Sequence, residues 1–194
     1  MSTDTTSNEG ARQPAWEPPL AGTDTEHVFA TLERLRATSR WKADGLDADQ
    51  LRSRAVPTST LTVGGLLKHL AVCEDDVFCW RVSGRPPVTW LSAPEDEVER
   101  WQFTVGSEES AEQIYALWAA AVGRSRDRQQ ELMAEGGLDR PGHLEFEGTR
   151  PSIRRHLHDL IEEYGRHTGH LDLLREAIDG RVGEDPPSDW PMLP

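Results

Sequence analysis

Residues 151–180 read PSIRRHLHDLIEEYGRHTGHLDLLREAIDG. At about 100° per residue, Ile153, Leu157, Leu160, Tyr164, Leu171, Leu174 and Ile178 fall on one face. That period predicts an amphipathic helix from about Pro151 to Ile178. Pro151 suits a first helical turn, and Gly180 suits a stop. The apolar face has polar neighbours. His167 lies on its edge, Glu163 lies one turn earlier, and His156 and His170 share the same flank. Burying an acid and imidazoles without partners is costly, so something must satisfy them.

Three further helices precede this one. The first is expected from about Thr25 to Trp41, with a Thr23/Glu26 capping box and a stripe of Val28, Leu32 and Leu35. The second is expected from about Thr62 to Val82, with Val63, Leu66, Leu70, Cys73 and Val77 on one side. The third is expected from about Ser110 to Glu135. A Ser110/Gln113 capping box opens it, and Ile114, Leu117, Trp118, Ala121 and Val122 form its stripe. The links are unequal, about 20 residues between helices one and two and about 27 between two and three, and links of that length often line a site. No convincing strand pattern appears, although Leu144-Glu145-Phe146 is a candidate for weak pairing. The expectation is an all-α four-helix bundle with long interhelical loops. Residues 1–22 are expected as a disordered tail, 23–194 as a single domain, and an extended C-terminal tail begins at about 181.

Charge and composition exclude several functions. There are 34 acidic and 21 basic residues, a formal charge of −13. Such a field repels phosphate backbones, so no nucleic-acid partner is expected. No stretch approaches the ~20 apolar residues that span a bilayer. MSTDTTSNEG lacks the basic and apolar regions of a signal peptide, so a cytoplasmic protein is expected. Cys73 and Cys79, six residues apart on one helix, face different ways and form neither a disulfide nor a CxxC pair.

The polar flank fits a metal. Glu163 and His167 stand at i and i+4, so their side chains project together and can grip one ion. His69, in Leu66-Leu67-Lys68-His69-Leu70, lies beside the apolar stripe of helix two. One His from that helix and a Glu-x3-His from the last make a facial triad with positions left open for water or substrate. These ligands suit zinc first, then nickel or iron(II). His27, His143 and His158 are read as structural, and His156 stays ambiguous. Trp80, Trp101 and Trp118 are read as core or pocket walls, and Glu95-Asp96-Glu97 as a solvated loop. Cys73, four residues after His69, suits either a soft ligand or a small buried apolar residue, and the second reading is preferred.

Two stretches carry a resemblance: PTSTLTVGGLLKHL over 57–70 and LIEEYGRHTGHLDLLREAIDG over 160–180. With Gly45-Leu46-Asp47, they resemble the mycothiol-transferase-like branch of the DinB/YfiT-like superfamily. The resemblance implies an up-down-down-up bundle, homodimers, and a divalent metal held by His69, Glu163 and His167. Many members carry His-x3-His followed by Arg-Gly-Gln. Here Glu163-x3-His167 is followed by Thr168-Gly169-His170, a Glu variant shared with mycothiol-dependent maleylpyruvate isomerase-like proteins. That departure points to thiol chemistry and makes His170 a candidate either to support a ligand or to face the substrate, with His170 or a nearby carboxylate as the candidate catalytic proton carrier. The expected function is S-transfer or thiol-assisted isomerisation or detoxification, with a mycothiol-like small-molecule thiol and an electrophile as partners. A metal-dependent hydrolase and a non-catalytic metal- or ligand-binding bundle are the alternatives.

Overall fold

A computed structural model of the chain describes residues 13–94 and 97–191. In chain order the helices are α1 (Asp24–Ala43), α2 (Ala48–Arg52), α3 (Val63–Asp75), α4 (Val88–Ser92), α5 (Val98–Trp101), α6 (Ala111–Ala134) and α7 (Ile153–Asp179). The described residues hold no strand. Two isolated antiparallel bridges occur, Pro141 with Ser152 and Phe146 with Thr149, and the second is all the pairing that the 144–146 segment makes.

The caps act as the sequence requires. Thr23 and Glu26 close a capping box on α1, and Ser110 and Gln113 close one on α6. Ser152, not Pro151, caps α7, so the proline stands one residue outside the helix. Gly180 ends α7 with φ 80°, a left-handed conformation that glycine adopts without strain. A further capping box, Asp47 with Gln50, starts α2 inside what the periodicity leaves as a loop. The helix expected to run to Val82 changes character at Asp76, where a π-helical turn covers Asp76–Arg81. Such turns re-aim the side chains that follow and recur at functional sites.

α1 packs on α7, and α3 packs on both α6 and α7. The core between them includes Leu32, Leu66, Leu70, Trp118, Leu157 and Tyr164, all buried. Each such side chain contributes roughly 1.5–3 kcal/mol through burial. Charged groups also lie inside. Arg36 grips Glu74 through two bonds of 2.7 and 2.5 Å, both residues buried. Tyr164 donates its hydroxyl proton to Glu74 Oε1 at 2.7 Å and accepts from Trp118 Nε1 at 3.0 Å. One network thereby joins α1, α3, α6 and α7. Asp75 faces α6 and takes a bidentate grip from Arg124 at 3.0 and 2.9 Å.

Residues 1–12 of the expected tail lie outside the described residues. The rest of it is tied down: Trp16 is buried and donates from Nε1 to the Pro187 carbonyl at 3.1 Å. Arg34 on α1 reaches both Glu17 and Asp185, which holds the two ends of the chain against one helix.

His156 on α7 is buried, with no hydrogen-bond partner at either ring nitrogen. Burial, then the nearby Arg81 and Arg155 charges, push its pKa below the ordinary value. The folded protein therefore binds this proton less well than the unfolded chain. Its contribution to stability is present above about pH 6.5 and is lost as the pH falls below that. His156→Phe is expected to be neutral or stabilising at pH 7, because no hydrogen bond is removed. It should also flatten urea-melt midpoints between pH 7 and 5. An unchanged pH slope would rule this account out.

Candidate metal centre

Thr62 caps α3 by accepting from Gly65 N at 3.0 Å, and this sets the rotation of the helix that carries His69. The first turns of α3 are shaped to receive residues 101–105. A Cβ on Gly65 would stand 2.6 Å from the Phe103 carbonyl oxygen, and one on Gly64 would stand 2.8 Å from Val105. One turn on, Lys68 donates to the Thr104 carbonyl at 2.7 Å and to Glu109 at 2.9 Å, with its ammonium 4.1 Å from the Trp101 ring centre. His69 continues the same face. Phe103 stacks on its ring at 4.5 Å, and Gln102 Oε1 lies 2.8 Å from its Nδ1.

That last contact fixes the tautomer. An amide oxygen only accepts, so Nδ1 carries the proton and Nε2 keeps its lone pair. Nε2 points to α7, where Glu163 Oε2 is 3.5 Å away. The same carboxylate oxygen lies 3.3 Å from His167 Nε2. One ligand atom from each of His69, Glu163 and His167 falls within 4.8 Å of the others. Two bonds of about 2.1 Å at a tetrahedral ion separate their donors by about 3.4 Å, close to the 3.5 and 3.3 Å between Glu163 Oε2 and the two imidazole nitrogens. The donor set is chemically apt, two imidazoles and a carboxylate, and the group fits a divalent cation. Burial, then the neighbouring His69, lowers His167 to about 4, so this imidazole is neutral near pH 7, as a ligand must be.

His170 turns its Nδ1 to His167 Nδ1 at 3.1 Å. A His167 Nε2 that holds an ion leaves the ring proton on Nδ1, which would then donate to His170 Nδ1. Cys73 lies at the same centre: its Sγ is 3.4 Å from His69 Nε2. It is half-buried and packs against the core, as the preferred reading of the sequence expects, and it also lines the cavity beside the triad. Burial, then the Glu163 charge, pushes its thiol pKa well up in the metal-free protein.

Two of the three donors, His69 and Glu163, line a cavity of about 590 Å³ together with Cys73, and Val72, Trp90 and Val98 are among its apolar walls. Arg81 also lines it and pairs with Asp76 at 2.6 Å. The other sequence candidates sit elsewhere. Trp118 is core and Trp101 lies under Lys68. Trp80 packs between Trp90 and His143. His27 bonds the Pro19 carbonyl. Glu95 and Asp96 lie outside the described residues. Gln102 was missed by the sequence reading; nothing in its local pattern marks it, because a long loop brings it to His69.

Gln102→Leu is expected to weaken zinc binding by about 10–100-fold, the usual cost of losing a partner that orients a ligating imidazole. Competition with a chromophoric chelator measures this. An unchanged affinity would show that the Gln102 contact orients nothing.

Among proteins of curated function, none matches the chain. The mycothiol-S-transferase family matches residues 27–180, a span that takes in all three converging donors as well as Cys73 and Gln102. The chain therefore belongs to the mycothiol-S-transferase family, a DinB/YfiT-like family.

Proposed function

We propose that this chain is a zinc-dependent transferase that joins the sulfur of mycothiol to an electrophile held in the cavity beside His69. The observation that carries the reading is the convergence of His69, Glu163 and His167, from two helices, beside a cavity that His69 and Glu163 line. His69 Nε2, Glu163 Oε2 and His167 Nε2 would hold the ion, in a four-helix bundle of up-down-down-up order. When bound, zinc keeps a thiol ionised at neutral pH and so supplies the nucleophile.

The protein's own residues do the rest. Gln102 keeps the His69 lone pair aimed at the centre. His170, expected from the sequence as a proton carrier, is better suited to orient His167, since its Nδ1 is engaged with that ring. Val72, Trp90 and Val98 offer apolar surface to the body of the electrophile and exclude water from it. In the transfer, the sulfur lone pair forms a C–S bond, the leaving group departs with its bonding pair, and the thiol proton passes to solvent. The two unpaired cysteines support a reducing, cytoplasmic location, and family resemblance supports a homodimer.

The test is turnover of an aryl halide by zinc-loaded protein with mycothiol, with glutathione, and with no thiol. Conjugate formation with mycothiol alone is the expected result. Thiol-independent loss of the electrophile would establish a hydrolase instead. Bound zinc without turnover on any electrophile would leave a metal-binding bundle and overturn the transferase.

A further inference from the structure

Cys73 has no task in the reading above. We propose that Cys73 is a displaceable fourth ligand, holding in the thiol-free protein the position that the substrate sulfur later takes. This rests on the zinc reading of His69, Glu163 and His167.

The geometry of two facing pairs carries it. His69 and Cys73 stand at i and i+4 on α3, and Glu163 and His167 stand at i and i+4 on α7. Residues at that spacing project side by side, so each helix presents two donors to the other. Cys73 Sγ lies 3.4 Å from His69 Nε2, the nitrogen that keeps its lone pair because Nδ1 is bonded to Gln102. A tetrahedral ion with a sulfur bond of about 2.3 Å and a nitrogen bond of about 2.1 Å separates those donors by about 3.6 Å. The sulfur thus stands about one polyhedron edge from His69 Nε2, while the donors within 4.8 Å of one another are His69, Glu163 and His167, so Sγ reaches the ion by turning about its χ1 bond. It also lines the cavity, where an incoming thiol would arrive. Cys79 serves as an internal contrast: its Sγ turns to Asp75, at 3.8 Å, away from the centre.

Displacement is mechanically simple. Sγ hangs on one rotatable bond with staggered wells, so it can swing between the ion and the cavity wall without moving α3. The exchange also balances. The incoming thiol gives up its S–H proton, Cys73 regains one, and the charge at the centre is unchanged. A soft ligand in the resting site favours zinc and keeps water from the fourth position until a better thiol arrives. This explains why a thiol stands beside a centre whose own substrate is a thiol.

Zinc K-edge absorption on protein loaded with one equivalent of zinc, reduced with a phosphine, reads the ligand set directly. Wild type is expected to show one sulfur at about 2.3 Å. Cys73→Ser is expected to show only nitrogen and oxygen ligands, and Cys79→Ser to match wild type. Saturating N-acetylcysteine should restore one sulfur in Cys73→Ser and leave the count at one in wild type. Cobalt-loaded protein gives an independent readout, since Cys73→Ser should lose the sulfur-to-cobalt charge-transfer band. Bound zinc with no sulfur in thiol-free wild type would overturn this inference and leave the three-ligand centre standing. A count of two with N-acetylcysteine would overturn displacement. Absence of bound metal would overturn both readings.

Discussion

Glu163→Ala protein, purified without a metal-affinity tag, is expected to carry substoichiometric metal while keeping its helical far-UV signal. Glu163 is central in the triad, because its Oε2 faces both imidazole nitrogens, at 3.5 and 3.3 Å. Its loss removes the only carboxylate of the triad and leaves its two imidazoles. The loss in affinity should exceed the ~100-fold upper range for partners outside the coordination sphere. His69→Ala should behave alike, since it removes the imidazole that α3 contributes to the triad. The fold is not at stake, because Glu163 is partly exposed and makes no contact with the buried Arg36–Glu74 network. Elemental analysis decides the matter. Stoichiometric metal in both variants would place the ion elsewhere and remove the basis of the transferase proposal.

Glu74→Ala should have the largest effect on stability. Arg36 and Glu74 are both buried, and the Tyr164 hydroxyl also donates into the pair. Removing the carboxylate leaves a guanidinium in the core with only the partly exposed Glu33, 2.6 Å away, to answer it. Breaking a buried pair from one side costs about 3–5 kcal/mol. For a protein of this size, that lowers the melting temperature by roughly 6–20 °C. The double variant Arg36→Met, Glu74→Met should recover much of the loss, because no buried charge is stranded. A single variant that melts within a degree or two of wild type would show that water reaches the pair.

The four long helices were legible because burial imposes a 3.6-residue period on each, and because Thr23/Glu26 and Ser110/Gln113 announce the starts of two of them in local sequence. Glu163 and His167 were legible for the same reason: four residues on a helix is a geometric statement. The buried charges were not. No local pattern marks Arg36, Lys68, Glu74 or Asp75 as buried, and each is inside because a partner distant in sequence meets it there. The Gly64-Gly65 pair likewise makes sense only once residues 101–105 lie across it.

The sequence by itself determined the four long helices, their apolar faces and the two candidate half-sites, since all of these depend on spacing along one chain segment. Tertiary structure alone decided that His69 meets Glu163, that Gln102 Oε1 meets Nδ1 of His69, and that Cys73 lines the cavity as well as packing against the core. Those outcomes depend on how one helix is rotated against another. That rotation is set by pairings such as Tyr164 with Glu74, whose members stand 90 residues apart and leave no trace in any local pattern.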